Sequence, residues 1–447
     1  MSLDLTKGNI LRALWKMALP LILSSFIQTA YAITDMFWLG HLGSEKVAAV
    51  GACSFFIWLC NAIALLPKTG AEITISQALG SKDIKRASSY ARHAKAMSYT
   101  LAISLVLVFF IFSKQMVGLF NFDKEISEIA INYFIIVIPG LFFTFNSFTF
   151  NGIYNGSGDT TTPFKIIAIG LIINIILDPI LIYGIGFIPR LETNGAAIAT
   201  TTSEIIVFTI FYYKLKSSIF FSEKKGLFKD LVRSQIIRLF KLGIPVSSQS
   251  ALFATFSLVL ATLAAKWGPN GVTAQSIGSQ IESITWMTAS GFATALASFV
   301  GQNYGAKNLD RINKGYKIAM SIGGIIGICS SFLFILLGHY IFSLFVDEPN
   351  AIEVGGNYLK ILGFSQLFMM IEIVSQGAFN GCGYTTPPAL VSIFFTGLRI
   401  PLAYYLCSFP EIGINGIWLS ITISSIFKGT ITPSWFILYL KKIKFLS

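Results

Sequence analysis

The sequence predicts an all-α polytopic membrane protein of twelve spans, arranged as two pseudo-symmetric six-helix bundles around a central cleft. Three observations predict it. Of 447 residues, 54% are hydrophobic and only 12% are Asp, Glu, Lys or Arg, against about 25% charged in a soluble protein. Apolar runs of about 20 residues or more recur along the chain, each long enough to cross a bilayer. The third is an internal repeat, in which motifs of the first half return in the second at one fixed offset.

The spans are expected at roughly 12–40, 47–78, 94–113, 129–154, 164–187, 194–214, 240–265, 272–303, 316–340, 354–380, 388–408 and 414–440. Several exceed the length needed to cross and should tilt or protrude. The N-terminus runs directly into the first span, with no short apolar core ending at a small-residue cleavage site, so no cleaved signal peptide is expected. The most polar interval, 215–239, reads as a cytoplasmic linker between an N-lobe (1–214) and a C-lobe (240–447).

Orientation follows from the loops. With both termini in the cytoplasm, the loop lysines and arginines gather on that side, and the other side keeps Lys46, Lys114, Lys124, Arg190 and Lys266. That bias satisfies the positive-inside rule. It also accounts for the net charge of +12 without a nucleic-acid partner.

The repeat pairs Leu19-Pro20 with Ile244-Pro245 and QALGSKDIKRA (77–87) with QNYGAKNLDRI (302–312). It pairs Asn132-Tyr133 with Asn357-Tyr358, and NGIYNGSGDTTTP (151–163) with QGAFNGCGYTTPP (376–388). Two bundles of the same orientation follow, related by an axis along the membrane normal.

Ionisable residues inside the spans are few, and each costs several kcal/mol in hydrocarbon, so each is a functional candidate. In LIINIILDPILIY (171–183) the charged residue is Asp178. Asn174 precedes it by one turn on the same face. Pro179 follows and leaves the carbonyl of Ile175 without its helix donor. These hard oxygens suit a small cation or a proton. Asp35, in TAYAITDMFWLG, either caps the outer end of its span or approaches Asp178 and shares a cation with it. Asn174–Asp178 is otherwise a structural hydrogen-bonded pair. Thr200 adds a hydroxyl or bonds its own backbone. Pro20 lies half-way along the first span, where the helix can bend.

The second half does not repeat this cluster. At the offset of the repeat, Asp35 becomes Leu260, Asn174 becomes Arg399 and Asp178 becomes Ala403. Glu282 and Glu372 offer carboxylates there, either pairing with Arg399 structurally or meeting a cationic substrate. Lys68 and Glu72, one turn apart, read as a local ion pair, and Glu204 and Lys428 receive no role. Five cysteines (53, 60, 329, 382 and 407) lie in apolar runs without a CxxC pair and read as inert thiols. The forty phenylalanines are expected mostly against lipid and in helix packing, some of them lining the cleft for flat organic cations.

No GxSxG, Walker loop, HExxH or Gly-rich dinucleotide turn is present, so neither an enzyme nor a cofactor is expected. Active transport would draw on an ion gradient.

The chain resembles the multidrug and toxic compound extrusion (MATE) transporters over nearly its whole length. The resemblance rests on Pro20, TDMFWLGHLG, QALGSKD, NGSGDTTTP, NIILDP, NGAAIAT, GIP at 243–245, GFATALASFVGQNYGA and NGCGYTTP. It implies a twelve-helix fold in two lobes and alternating access. The function implied is export of organic cations by a monomer in a bacterial inner membrane, in exchange for sodium or protons. The family's N-lobe cation site carries over to Asp35, Asn174, Asp178 and Thr200, with Na⁺ held at the first three, and its bending proline to Pro20. Some members add a cation-binding Glu on helix 7 and an Asp on helix 10. Here Gln249 and Ser250 occupy the first neighbourhood and Glu372 approximates the second, which moves the expected coupling site to the N-lobe. The pattern is nearest to the DNA-damage-inducible branch. A lipid-linked oligosaccharide flippase of the same wider fold is the rival reading. It calls for a basic cleft, whereas the spans carry mainly carboxylates. A membrane-embedded lipid enzyme would need a nucleophile–base pair that is not found.

Overall fold

The structure, a computed structural model, describes residues 3–186, 188–218 and 226–446. Residues 219–225 of the expected linker, with Lys224 and Lys225, and Phe187 of the fifth-to-sixth span loop lie outside the described residues.

The described chain is helical throughout, without a strand. Its helices are α1 (Ile10–Gly40), α2 (Ser44–Gly80), α3 (Ile84–Gly118), α4 (Lys124–Gly156), α5 (Thr161–Tyr183), α6 (Glu192–Lys216), α7 (Arg233–Ala264), α8 (Gly268–Gly305), α9 (Leu309–Ser343), α10 (Pro349–Gly363), α11 (Gln366–Cys382), α12 (Thr386–Cys407) and α13 (Asn415–Leu446). Counting α10 and α11, which meet at a 52° bend, as one element makes twelve long helical elements. Each of the twelve expected intervals coincides with one of these elements, and the helices overrun them by several residues at most ends. The interval 215–239 is not all loop, since α7 begins at Arg233.

The break in the tenth span is the feature that periodicity did not reveal. It is stabilised locally: the carbonyl of Leu362 accepts from the backbone N–H of Ser365 at 2.9 Å, from Ser365 Oγ at 2.8 Å and from Gln366 Nε2 at 3.2 Å. Side chains thus replace helical donors at a bend. At the matching place in the first half, α4 carries Pro139 and stays continuous.

The repeat reaches down to single contacts. Asp83 caps α3 by accepting the Arg86 N–H at 2.9 Å, and Asn308 caps α9 by accepting the Arg311 N–H at 3.1 Å. Gly158 and Gly383 both hold positive φ, 83° and 77°, which a side chain would strain. Gly152 and Gly156 of α4 lie so close to α2 that an added Cβ would sit 2.5 Å from the carbonyl oxygens of Lys68 and Glu72. Gly377 and Gly381 of α11 press likewise on the α8 carbonyls of Ala293 and Ala297. A small-xxx-small pair lets two backbones approach where lipid offers no hydrophobic drive. In both halves it joins the second span to the fourth.

Leu107 and Ile111 on α3, and their counterparts Phe332 and Leu336 on α9, are exposed. Such apolar bands face lipid in a spanning bundle. Inside, Phe56, Phe134 and Phe145 pack one core of the first half. Tyr358, Trp418 and Phe342 pack that of the second.

Two compact units divide the chain, and the division does not follow the linker. One comprises Leu23–Ser247 together with Leu3, the other Asp4–Ile22 with the chain from Ser248 on. The boundaries fall just after Pro20 and just after Pro245. Within the second unit, the Leu5 N–H donates to Gln302 Oε1 at 2.8 Å and Trp15 packs edge-on to Phe292 at 4.9 Å. Within the first, Arg238 donates to Gln77 Oε1 at 2.7 Å. The segments before the two prolines thus exchange partners.

Candidate cation and proton site

Helices of the first unit position the site. Gly195, near the start of α6, packs on the backbone of Leu181 at the end of α5, which draws these two helices together. Thr201 Oγ1 donates to the α4 carbonyl of Ile136 at 3.2 Å and sets the rotation of α6. Tyr183 donates its hydroxyl to the α1 carbonyl of Trp38 at 3.1 Å. At the starts of α2 and α6, Lys46 pairs with Glu192.

This framework brings the four expected residues together. Asn174 Nδ2 donates to Asp178 Oδ1 at 3.2 Å, and both residues are 0% exposed. Thr200 Oγ1 donates to Asp35 Oδ2 across a long 3.5 Å. Asp35 lies within side-chain reach of Asp178, Asn174 and Thr200 alike. Asp35 therefore turns into the bundle, and Thr200 reaches across to it.

The oxygens left over define what the cluster can hold. Asp35 Oδ1, Asp178 Oδ2 and Asn174 Oδ1 are buried without a hydrogen-bond partner. No Lys, Arg or His pairs with either carboxyl among the described residues. Buried unpaired carboxylates do not stay charged and empty; they take a proton or a cation. Two carboxylates and an amide oxygen form an all-oxygen set whose chemistry suits Na⁺ as well as a proton, since hard cations take oxygen ligands. With only two acids present, the set contains no group of three His, Cys, Asp or Glu.

The second unit is built differently. Lys428 Nζ lies 3.1 Å from Glu372 Oε2. Gln376 Nε2 donates to Glu372 Oε1 at 2.8 Å, and Gln249 Nε2 to Gln376 Oε1 at 3.2 Å. Arg399 donates to Ser424 Oγ at 2.9 Å and Ser425 Oγ at 3.2 Å. Tyr358 donates to Glu282 Oε2 at 3.2 Å, with Arg399 in electrostatic range of both glutamates. Glu282, Glu372, Arg399 and Lys428 sum to zero charge. Glu372 thus pairs with Lys428, a residue for which the sequence suggests no role, and not directly with Arg399. Lys68 lies over the Phe148 ring at 5.3 Å, in the field of Glu72.

The MatE family profile matches residues 20–180 and again 245–405. The chain is a MATE family member. The two matched segments are related by the offset of the internal repeat, so the profile recognises each half separately. A relative named "Probable multidrug resistance protein NorM" from Thermotoga maritima is 26% identical over 96% of this chain and 92% of its own length. "Multidrug export protein MepA" from Staphylococcus aureus is 24% identical, covering 94% and 91%. An "FAD transporter" from Shewanella oneidensis is 25% identical, covering 95% and 94%. Among solved structures, an outward-facing multidrug resistance MATE family transporter of the MOP superfamily aligns with a TM-score of 0.88 at 24% identity, over 100% of this chain and 99% of that one. A MOP superfamily transporter from Pyrococcus furiosus aligns with a TM-score of 0.89 at 23% identity, over 99% and 98%. This MATE protein is a multi-pass membrane protein of a multidrug efflux family, with that family's twelve-span fold.

Proposed function

We propose that this MATE protein is a secondary antiporter that exports organic, amphipathic cations in exchange for H⁺ or Na⁺, in a bacterial inner membrane with both termini cytoplasmic. It works by alternating access and carries out no chemical step. One observation carries the reading: Asp35 and Asp178 lie within side-chain reach of one another in the first half, and among the described residues no base pairs with either. A cation or proton entering between them removes uncompensated charge from a low-dielectric site, and its departure restores it. The site's energy therefore changes steeply with occupancy, which is what couples ion movement to a conformational step. Asp35 sits on α1 beyond Pro20, so a pull on Asp35 is transmitted to a helix that has lost a hydrogen bond at the proline. One positive charge moving down 100 mV supplies about 2.3 kcal/mol, enough for a modest accumulation ratio.

A second reading has two findings in its favour. Arg399 holds two serine hydroxyls rather than a carboxylate, and one relative is named an FAD transporter. An anionic substrate would meet that guanidinium.

The test is uptake into proteoliposomes under an imposed pH or sodium gradient, with a permanent organic cation and FAD as separate probes. Cation transport driven by one gradient and lost in Asp178→Asn is expected. Wild-type rates in Asp178→Asn would remove the acid-pair mechanism. Transport of FAD alone would replace the cation reading with the anionic one.

A further inference from the structure

The first half-bundle holds a third carboxyl that the acid pair leaves unused. Glu204 lies one turn beyond Thr200 on α6, and Tyr31 one turn before Asp35 on α1. The i, i+4 spacing puts each on the face of its partner, so the two form a second polar layer next to the first, toward the start of α1. From α4, Thr144 reaches the Glu204 carboxyl. The Tyr31 hydroxyl stands beside Ser203, within electrostatic range of Glu204, Asp35 and Asp178. Tyr133 of α4 lies in the field of the two aspartates. No base pairs with Glu204 among the described residues.

A separate observation points to a ligand. Tyr31 Oη and Ser203 Oγ are buried and neither closes a hydrogen bond of normal geometry, and Ser203 is 0% exposed. Buried hydroxyls that close no well-formed hydrogen bond are rare, because an unsatisfied buried polar group costs free energy. A hydroxyl donates and accepts at once, so it hands a proton on without holding a charge.

We propose that Glu204 is a second proton-holding site, and that Tyr31 and Ser203, together with a bound water, pass a proton between Glu204 and the Asp35–Asp178 pair. In each transfer the protonated Glu204 gives its proton to this hydroxyl–water chain. The chain delivers one of its own protons to the Asp35 carboxylate, and Glu204 becomes the carboxylate. One charge moves, and nothing is oxidised or reduced. For its part in transport the proposal rests on the acid-pair reading; the proton on Glu204 does not.

The test is infrared difference spectroscopy of the reconstituted protein through a pH titration, read at the carbonyl stretch of protonated carboxyls, together with transport of tetraphenylphosphonium. Glu204→Gln should lose one titrating band and keep another, whereas Asp178→Asn should keep the Glu204 band. Glu204→Gln and Tyr31→Phe should bind the probe within about twofold of wild type yet exchange it about a hundredfold more slowly, the lower end of what loss of one proton-transfer group produces. Tyr31→Phe removes a single oxygen and so reads the relay even where Glu204→Gln folds poorly. Spectra of Glu204→Gln identical to wild type, or an unchanged rate and pH profile in both variants, would overturn the proposal. Normal transport in Asp178→Asn with the Glu204 band intact would instead overturn the acid-pair reading alone.

Discussion

Lys428 and Glu372 form an ion pair inside the second half, Nζ to Oε2 3.1 Å with side chains 7% and 3% exposed, while Asp35 and Asp178 in the first half meet without a base among the described residues. The four charges of the second half sum to zero within the protein. The acid pair of the first is open to a cation. Two bundles descended from one repeat thus differ in whether their cation is covalently attached to the chain.

Removing one partner of the closed pair should be costly and removing both should not. Lys428→Met leaves Glu372 buried and unpaired, an effect on the order of 3–5 kcal/mol. The double variant Lys428→Met with Glu372→Met should recover most of that loss. Thermal unfolding in detergent checks it, the expected order being wild type and double variant above either single change.

The paired glycines should be intolerant in both halves. Gly156→Val and Gly381→Val drive a side chain into the carbonyls of Glu72 and Ala297. Each should cost a few kcal/mol and lower the yield of monodisperse protein on size-exclusion chromatography. Gly324 provides the control, since nothing lies within 4 Å of a Cβ added there. Yields of the two variants as high as that of Gly324→Val would show that the close approach is not the cause.

Thr200 should matter less than the carboxyls. Its bond to Asp35 is 3.5 Å long, at the weak end for a hydroxyl donor. Thr200→Val should change the half-saturating ion concentration by about fivefold or less, equivalent to about 1 kcal/mol, with Thr200→Ser near wild type. Abolished transport in Thr200→Val would assign the hydroxyl a direct ligand role.

Lys46→Ala serves as the contrasting case. The Lys46–Glu192 pair has side chains 21% and 36% exposed, and such pairs contribute about 0–1 kcal/mol. Its loss should leave both unfolding temperature and transport within error of wild type, and more weakly affected than any change at Glu372.

Much of this was legible in one dimension. Apolar runs located every span because a bilayer leaves a chain no alternative to helices that satisfy their own backbone. The fixed offset between motifs revealed the two halves because each repeats its caps, its tight glycines and its early proline. Asp178 announced itself, as a charge in hydrocarbon is rarely kept without a use. The partner of Glu372 was not legible: Lys428 lies on α13, two helices further along the chain, and no periodicity fixes that helix's rotation. Tyr31 and Glu204 carried a usable signal, since each lies one turn from an expected site residue on the same face.

From the sequence alone came the composition-driven facts: a membrane protein, twelve crossings, a doubled architecture and the short roster of buried charges, all consequences of chain-local patterns and solvent. Packing alone decided which charges meet. Asp35 is on α1 and Asp178 on α5, with three whole helices between them in the chain. Their approach depends on how α1, α5 and α6 are rotated and pressed together by contacts such as Gly195 on Leu181. The same holds for the unit boundaries near Pro20 and Pro245, because which bundle a half-helix joins is set by side chains distant in the chain and close in space.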